Sequence, residues 1–215
     1  MCFRIRCHKE KSSFVARSLR EGIVMRKIDA VKDAEKIKQG VKLILEGIGE
    51  DAGREGLLET PDRVARMYGE LFSSVGRAVD SIEAKVFEVG NSGMVAERNI
   101  AFYSVCEHHL LPFFGNASIA YLPDGEVIGL SKLARIVDFY ARKLQLQERL
   151  TDEIAGAVTR KVKNKGVYVV LSAEHLCVSM RGVTKPGAVT VSMTSTGAFA
   201  ADKQLRDEAM AFFQG

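Results

Sequence analysis

The chain reads FFGNASIAYL at residues 113–122, a largely apolar run of strand-forming residues. A second run of the same kind, Ile100 to Val105, precedes it. The region from about Ala84 to Pro123 is punctuated by Gly90, Gly93 and Gly115. Short apolar runs separated by glycine are typical of β-strands, so the middle of the chain is predicted to form consecutive strands.

Apolar residues at helical spacing precede this region. A first helix is predicted from Ala34, Ile37, Val41, Ile44 and Ile48, and it stops at Gly47 to Gly49. A second helix is predicted to begin with Thr60 as N-cap and Pro61 at its first position. Its predicted buried stripe is Val64, Met67, Tyr68, Leu71 and Phe72.

Helices and strands also follow the central strands. One predicted helix, capped by Ser131, has the stripe Leu133, Ile136, Val137, Tyr140 and Leu144. The next has Ile154, Val158 and Val162 and ends before Gly166, and a C-terminal helix carries Leu205, Ala209, Phe212 and Phe213. Three more strands are predicted at Val167 to Leu171, Glu174 to Met180 and Ala188 to Thr196. Runs of strands separated by paired helices predict an α+β fold in one domain over residues 25–215.

The composition excludes several classes of protein. The chain has 215 residues and 47% hydrophobic content, which excludes disordered, collagen-like and coiled-coil proteins. No apolar run approaches the ~18–20 residues of a membrane span, so we expect no membrane association. Four irregularly spaced cysteines predict reduced thiols and a cytoplasmic protein rather than a disulfide framework.

The net charge of +4 is confined to residues 1–24, which hold six bases and two acids. Three interpretations of this basic segment stay open: a disordered arm, sequence upstream of a true start at Met25, or an organellar transit peptide. The remaining residues carry 25 bases and 25 acids, so no nucleic-acid partner is expected for the folded domain.

Every His and Cys after residue 24 lies in one of two short clusters. These are Cys106-Glu107-His108-His109 and Glu174-His175-Leu176-Cys177. A two-residue spacer lets Cys106 and His109 bind one metal ion, and a predicted strand places His175 and Cys177 on one face. The two clusters together predict a metal site.

The number of ligands separates two kinds of zinc site. Three protein ligands leave a position for water or substrate, whereas four close a structural site. Cys106, His109 and Cys177 would give the first kind and leave His108 and His175 free for proton transfer. Closure of a structural site by His108 or His175 is the alternative.

Two further clusters suggest nucleotide binding. Ser131, Lys132 and Arg135 lie in the first turn of a predicted helix, where backbone amides attract anions, although a solvated basic face gives the same pattern. Gln147 and Glu148 could bind the donor edge of guanine, although Glu148 and Arg149 could equally be surface charges. Arg181, just before Gly182, is a last cationic candidate or an ordinary turn residue.

Taken in order, four motifs resemble GTP cyclohydrolase I of the zinc-dependent type. They are Cys106-Glu107-His108-His109, Val127-Ile128-Gly129-Leu130-Ser131-Lys132 with Arg135, Leu144-Gln145-Leu146-Gln147-Glu148-Arg149-Leu150, and His175-Leu176-Cys177 with Met180-Arg181-Gly182-Val183. The resemblance runs from about Ile37 to Phe213, includes Thr60-Pro61-Asp62-Arg63, and leaves out residues 1–24.

The resemblance implies a fold and an activity. The fold would be a tunnelling fold, an antiparallel sheet with helices on one face and N-terminal helices, assembled into a decamer of two pentameric rings. The activity would be hydrolysis of GTP at carbon 8 to formate and 7,8-dihydroneopterin triphosphate, the entry to folate or tetrahydrobiopterin synthesis.

The resemblance also implies a role for each candidate residue. Zinc would be held by Cys106, His109 and Cys177, and its water would attack carbon 8. His175 would protonate nitrogen 7, His108 would assist proton transfer, and Ser131 would serve the later sugar rearrangement. Gln147 and Glu148 would anchor guanine. The triphosphate would be held by Lys132, Arg135 and Arg181, joined by Arg63 and Arg66 of a neighbouring subunit.

Three other functions compete with GTP hydrolysis as interpretations of the sequence. A non-catalytic zinc-binding subunit of the same fold is expected to lack a ligand or a proton-transfer residue, and this sequence retains them all. A zinc deaminase usually has His-x-Glu together with Pro-Cys-x-x-Cys, and the sequence contains no Pro-Cys-x-x-Cys. Nucleic-acid binding through the basic segment predicts steeply salt-dependent binding that is lost when residues 1–24 are removed.

Overall fold

The computed structural model describes residues 33–90 and 93–215, so the predictions for residues 1–24 lie outside the described residues. The chain begins with helices α1 (Ala34–Gly47) and α2 (Thr60–Leu71) and a 3-10 turn (Val79–Ser81). The central elements are β1 (Val86–Glu88), β2 (Val95–Cys106), β3 (Pro112–Pro123), β4 (Glu126–Ile128), α3 (Leu130–Ala141), β5 (Leu144–Gln145) and α4 (Gln147–Lys161). The last elements are β6 (Asn164–His175), α5 (Leu176–Ser179), β7 (Val189–Ser195), α6 (Ala198–Ala201) and α7 (Lys203–Gln214). This mixture of helices and sheet confirms the predicted α+β class.

A five-stranded sheet in the order β5-β2-β3-β6-β7 organises the chain. Its long strands pair antiparallel, and only the two-residue β5 runs parallel to its neighbour β2. The register places Phe113, near the start of β3, directly opposite His175, the last residue of β6. The two predicted ligand clusters are therefore brought to the same end of the sheet.

Helices cover both faces of this sheet, which corrects the prediction that they pack on one face. Val167, Val169 and Leu171 of β6 belong to the main core with α3 and α4. The alternating residues Tyr168 and Val170 pack instead with Phe199 of α6 and Ala209 of α7. Because successive strand residues point to opposite faces, a strand that is apolar throughout must be covered on both sides.

The first two helices form as predicted but bury less than predicted. Helix α1 has no buried residue, and α2 buries Pro61, Ala65 and Gly69 rather than its larger apolar residues. Thr60 is the first helical residue of α2 and not its cap, because Glu59 occupies the cap position. Lys38 of α1 and Asp62 of α2 form an ion pair at 2.7 Å.

Three other local predictions are wrong. Gly129, rather than Ser131, is the N-cap of α3, and Leu144 lies beyond that helix in β5. The region predicted as strands Val167 to Leu171 and Glu174 to Met180 is one strand, β6, followed by the short helix α5. His175 and Cys177 therefore do not share a strand face.

Within residues 33–90 and 93–215, no helix combines the length and the apolar character that crossing a membrane requires.

Candidate functional site

Two cysteines and one histidine meet at the end of the sheet. Cys106 is the last residue of β2, His109 lies in the turn that follows, and Cys177 is in α5. Their ligand atoms all lie within 4.8 Å of one another. The structure thus brings together the three residues that the sequence predicted as one group, the Cys-His-Cys group.

The turn that carries His109 is closed by its own backbone. Cys106 N–H donates to the carbonyl of Leu111, and Leu110 N–H donates to the carbonyl of Cys106, both at 2.9 Å. Leu110 has a φ of 55°, in the left-handed region that non-glycine residues rarely occupy. Such a residue costs of order 1–3 kcal/mol and persists where the surroundings fix it, as the two hydrogen bonds do here.

The donor set fits a zinc ion. Zinc is bound tetrahedrally by thiolates at about 2.3 Å and imidazole at about 2.0–2.1 Å, which places ligand atoms roughly 3.5–3.8 Å apart. The ligand atoms of the group lie within 4.8 Å of one another, which is compatible with this geometry. Burial, together with the neighbouring Cys106, raises the pKa of the Cys177 thiol, so a cation at the group would be needed to stabilise the thiolates.

A charged pair holds the turn from the side of α4. Arg149 donates through Nη2 to the Glu107 carboxylate, and this hydrogen bond keeps the pKa of Glu107 below its usual value. Arg149 also donates through Nε to Gln145 Oε1 at 2.9 Å and through Nη2 to the Leu144 carbonyl at 3.1 Å. Gln145 is fully buried, and its backbone carbonyl accepts a hydrogen bond from the backbone N–H of Glu107 at 3.1 Å. Arg149 is therefore a structural partner of the metal-site turn rather than a solvated surface charge.

His175 stands beside the Cys-His-Cys group with a fixed ring. It stacks on Phe113 with ring centroids 4.6 Å apart and planes inclined by 2°. Its Nε2 atom lies 2.7 Å from Gln147 Oε1. The pKa of His175 is lowered because the ring is partly buried, and the nearby Glu148 carboxylate offsets only part of this effect.

Gln147 has internal partners for its whole amide. Its Nε2 donates to the carbonyls of Leu171 at 3.2 Å and Thr190 at 3.0 Å, while its Oε1 faces His175. The residue is only 1% exposed. This differs from the guanine contact that the resemblance implies, because binding guanine would require one of these hydrogen bonds to be exchanged.

Three other predicted site residues are exposed, and each is close in sequence to a residue of the site described above. His108 is in the turn next to His109, with ring centroids 6.3 Å apart. Glu148 is exposed in the first turn of α4, near enough to His175 to affect its pKa. Arg181 is exposed in the loop after α5.

The remaining predicted cations lie elsewhere. Lys132 and Arg135 line a cavity of about 460 Å³ together with Arg77, Arg142, Glu83, Asp138 and neighbouring residues. Among the described residues that line this cavity, none belongs to the Cys-His-Cys group. Ser131 is exposed at the start of α3, and Arg63 and Arg66 are exposed on α2.

Helix α3 separates the two groups of predicted site residues. Its last residue lies near the metal-site end of β2, since Ser104 Oγ donates to the Ala141 carbonyl at 2.7 Å. At a rise of about 1.5 Å per residue, Ser131 is roughly 15 Å further along the helix axis. The described chain therefore does not assemble all predicted site residues around one point.

Sequence reasoning missed the support of the site. The sequence pattern predicts Phe113 only as a strand residue and indicates no partner for Glu107. The pairing of Phe113 with His175 follows from the β3–β6 register, which the sequence does not reveal. The ion pair between Glu107 and Arg149 has a signal in the sequence, since the two residues carry opposite charges and lie in separate motifs.

Comparisons with known proteins show the family of this chain. The family model for GTP cyclohydrolase I matches residues 37–214. A protein of Clostridium perfringens (strain 13 / Type A) named GTP cyclohydrolase 1 is 56% identical over 176 residues, which cover 82% of this chain and 95% of the relative. A protein of the same name from Streptococcus pneumoniae (strain ATCC 700669 / Spain 23F-1) is 54% identical over 177 residues, covering 82% of this chain and 96% of that protein.

One solved structure, the apo form of the archaeosine synthase QueF-Like, overlaps 51% of this chain and 98% of its own at 19% identity and a TM-score of 0.43. That overlap is too weak to support a conclusion. The family match and the two relatives span nearly all of the described residues, and the chain belongs to the GTP cyclohydrolase I family.

Proposed function

We propose that this chain catalyses the hydrolysis of GTP at carbon 8, releasing formate and forming 7,8-dihydroneopterin triphosphate. The observation that carries the proposal is the Cys-His-Cys group with His175 beside it, in a chain of this family. Three ligands rather than four are typical of a catalytic zinc site. A zinc ion bound there would supply a Lewis acid and lower the pKa of a water molecule.

The proposed roles near the metal group follow from where the side chains lie. Carbon 8 of guanine is a poor electrophile until the ring is protonated, so an acid must act beside the site of water attack. His175 is proposed to protonate nitrogen 7, and its stacking on Phe113 supports this role because it fixes the ring. His108, exposed next to His109, is proposed to assist proton transfer.

Recognition of guanine is assigned to Glu148. Its carboxylate is exposed and close to His175, so a purine bound to it would lie near the proposed acid. Gln147 has its amide engaged elsewhere, and its direct contact with guanine stays a prediction. Ser131 is proposed to act in the later sugar rearrangement.

The triphosphate site is proposed to be completed by a second copy of the chain. Four negative charges require several cations, but Lys132 and Arg135 line a cavity whose lining includes no member of the Cys-His-Cys group. We assign Lys132, Arg135 and Arg181 to the triphosphate, with Arg63 and Arg66 reaching it from a neighbouring subunit. Such a site fits a tunnelling fold assembled as two pentameric rings.

Exposed apolar residues support this assembly. Leu43 and Ile44 of α1 and Ile48, which follows that helix, are 67%, 64% and 69% exposed, and Val189, Val191 and Met193 of β7 are more than half exposed. Contiguous apolar surface of this kind is typical of a protein interface. Light scattering of the purified chain tests the ring, since a decamer would have ten times the mass of the 23.6 kDa monomer.

A direct assay tests the enzymatic proposal. Purified, zinc-loaded protein is mixed with GTP at neutral pH, and formate and oxidised pterin fluorescence are followed with and without a strong chelator. We expect both products, and their loss when the metal is removed. Absence of turnover in zinc-replete protein would overturn the proposal.

A variant separates the proposed acid from the ligands. His175→Ala is expected to abolish the product while the bound zinc stays near one ion per chain. Loss of zinc in this variant would show that His175 is itself a ligand. Cys177→Ala is the matched comparison, because it should lose the metal and the activity together.

A further inference from the structure

We propose that Gln147 is a positioning residue that holds His175 with its Nε2 atom protonated, so that Nδ1 is the ring atom that exchanges a proton with the substrate. This inference rests on the proposed function, because it concerns how the proposed acid is presented. It differs from the guanine contact that the family resemblance implies for Gln147.

The orientation of the Gln147 amide is fixed by two carbonyl groups. Its Nε2 lies 3.2 Å from the Leu171 carbonyl of β6 and 3.0 Å from the Thr190 carbonyl of β7. A carbonyl can only accept, so the nitrogen of the amide must face both strands. The oxygen, Oε1, is left to face His175 at 2.7 Å.

The side-chain oxygen of Gln147 can only accept a hydrogen bond, so the His175 nitrogen that faces it must be the donor. At 2.7 Å the Nε2 atom of His175 has to donate a proton to Gln147 Oε1. In a neutral imidazole the other nitrogen, Nδ1, then carries the lone pair. Gln147 thereby selects one of the two tautomers of His175, in the way that second-shell groups orient catalytic histidines.

Packing prevents the ring from turning away from this arrangement. Phe113 lies parallel to the imidazole at 4.6 Å, so the ring cannot tilt without losing the stack. Gln147 is 1% exposed and Phe113 is fully buried, which leaves both supports little freedom to move. Among residues 33–90 and 93–215, no group forms a hydrogen bond with His175 Nδ1, so this nitrogen is not committed to a partner within the described chain.

The position of Gln147 in the fold explains why one residue can do this. It is the first residue of α4. Its side-chain amide connects the backbones of β6 and β7 to the imidazole of His175, the last residue of β6. Removing the amide would take away its two hydrogen bonds to the Leu171 and Thr190 carbonyls and would leave the imidazole N–H without this acceptor. An apolar replacement of similar length would therefore release the ring from its tautomer while preserving most of the packing.

The first test reads the tautomer directly. The full chain, loaded with zinc, is labelled with ¹⁵N in the imidazole rings, and its four histidines are resolved by NMR. The His175 signals are assigned by their loss in His175→Asn. We expect a protonated Nε2 in the wild type, whether or not Nδ1 also carries a proton. An unprotonated Nε2 would overturn the proposal, and this result does not depend on turnover of GTP.

The second test is a double-mutant comparison. Gln147→Met is expected to lower kcat by roughly 10²–10³-fold with KM changed by less than about 3-fold, since orientation and tautomer serve proton transfer rather than binding. In a His175→Ala background the same substitution should cause no further loss. An equal loss in both backgrounds would overturn the proposal, because it would show that Gln147 acts independently of His175.

A matched control removes a buried polar group from the same helix. Thr151 is 1% exposed, and its Oγ1 lies 2.7 Å from Ser192 Oγ of β7 and donates to the backbone carbonyl of Gln147 at 2.7 Å. It forms no hydrogen bond with the side-chain amide of Gln147 or with His175, so it tests whether the amide itself is needed. Thr151→Val should therefore leave kcat and the His175 tautomer as in the wild type. If the wild type fails to convert GTP, the proposed function falls, whereas the tautomer assignment is decided separately by the NMR signals.

Discussion

Glu97 of β2 is a carboxylic acid whose Oε2 atom is buried without a hydrogen-bond partner among the described residues. It lies at an irregularity in the pairing of β2 with β3, where the register shifts between Glu97 and Ile100. Burial raises the pKa of Glu97, because the charged form loses hydration that nothing replaces. The folded state therefore favours the protonated acid more than the unfolded state does.

This imbalance predicts how Glu97→Gln changes stability with pH. The stability that protonated Glu97 allows is present below its unfolded pKa and is lost as pH rises through the higher folded pKa. Glu97→Gln removes this loss, so Tm at pH 7.5 should rise by roughly 2–4 °C, with a smaller rise at pH 4. Thermal unfolding at the two pH values measures both. A lower Tm at pH 7.5 would show that a cation outside the described contacts pairs with the carboxylate.

Arg149 gives a second prediction at the level of single residues. Its bonds to Glu107, Gln145 and the Leu144 carbonyl hold the turn between Cys106 and His109. Partners that support ligands typically change metal affinity by about 10–100-fold when removed. We expect Arg149→Met to release zinc to a chelator roughly 10-fold faster than the wild type, as followed with a zinc-sensitive dye.

The control for Arg149 lies on the same helix. Arg160 contacts Tyr140 Oη at 3.4 Å and has no bond to the metal-site turn, so Arg160→Met should release zinc at the wild-type rate. Equal rates for wild type and Arg149→Met would show that the turn holds its geometry through its backbone bonds alone.

At the scale of elements, the wrong prediction of a strand at Glu174 to Met180 has a physical cause. Leu176, Val178 and Met180 alternate with polar or small residues, a period typical of a strand. Strand β6 nevertheless ends at His175, because the pairing with β3 ends at Phe113 and the pairing with β7 ends at Val189. Without a partner on either side, the chain turns into α5. The pattern is local, whereas the available partners depend on the register of three strands.

The same contrast applies to the site. The Cys-His-Cys group could be predicted because its residue types are rare in the chain and confined to two clusters. Phe113, Gln147 and Arg149 could not be assigned their contacts, because each contact joins residues far apart in sequence through strand register or helix placement. Composition thus identified the members of the Cys-His-Cys group, and tertiary structure determined how they are held.

The close approach of β3 and β6 gives a prediction about the sheet. A Cβ atom at Gly115 would lie 1.9 Å from the Ser172 carbonyl oxygen, which is part of the β6 backbone. Since that atom cannot move without separating the strands, Gly115→Ala should destabilise the fold by roughly 3–5 kcal/mol. The midpoint of urea unfolding, followed by circular dichroism, measures the change.

Gly156 of α4 is the matched glycine. Its added Cβ would meet only the end of the Arg160 side chain, at 3.2 Å, which can move aside. Gly156→Ala should be neutral or stabilise the helix by about 0.5–1 kcal/mol. If Gly115→Ala unfolds at the wild-type urea concentration, β3 and β6 must be able to separate without loss of the sheet.

For the whole molecule, the separation of the predicted cations from the Cys-His-Cys group raises the question of how one active site is assembled. Lys132 and Arg135 line a cavity that holds no member of the Cys-His-Cys group, roughly 9–14 Å along α3 from its end near β2. If the cations of one chain serve the metal group of another, two inactive variants with defects in different halves should restore activity together. If both halves come from one chain, they should not.

Co-expression of Cys106→Ser with a Lys132→Ala, Arg135→Ala double variant distinguishes these cases. Each protein alone should be inactive, the first through loss of metal and the second through loss of triphosphate binding. In randomly mixed oligomers, about a quarter of the sites would combine an intact metal half with an intact cationic half, so we expect roughly a quarter of the wild-type formate release. The matched control co-expresses Cys106→Ser with Cys177→Ser, which damage the same half and should stay inactive. Mixed oligomers that contain both proteins yet release no formate would show that the cavity lined by Lys132 and Arg135 does not complete the site of another subunit.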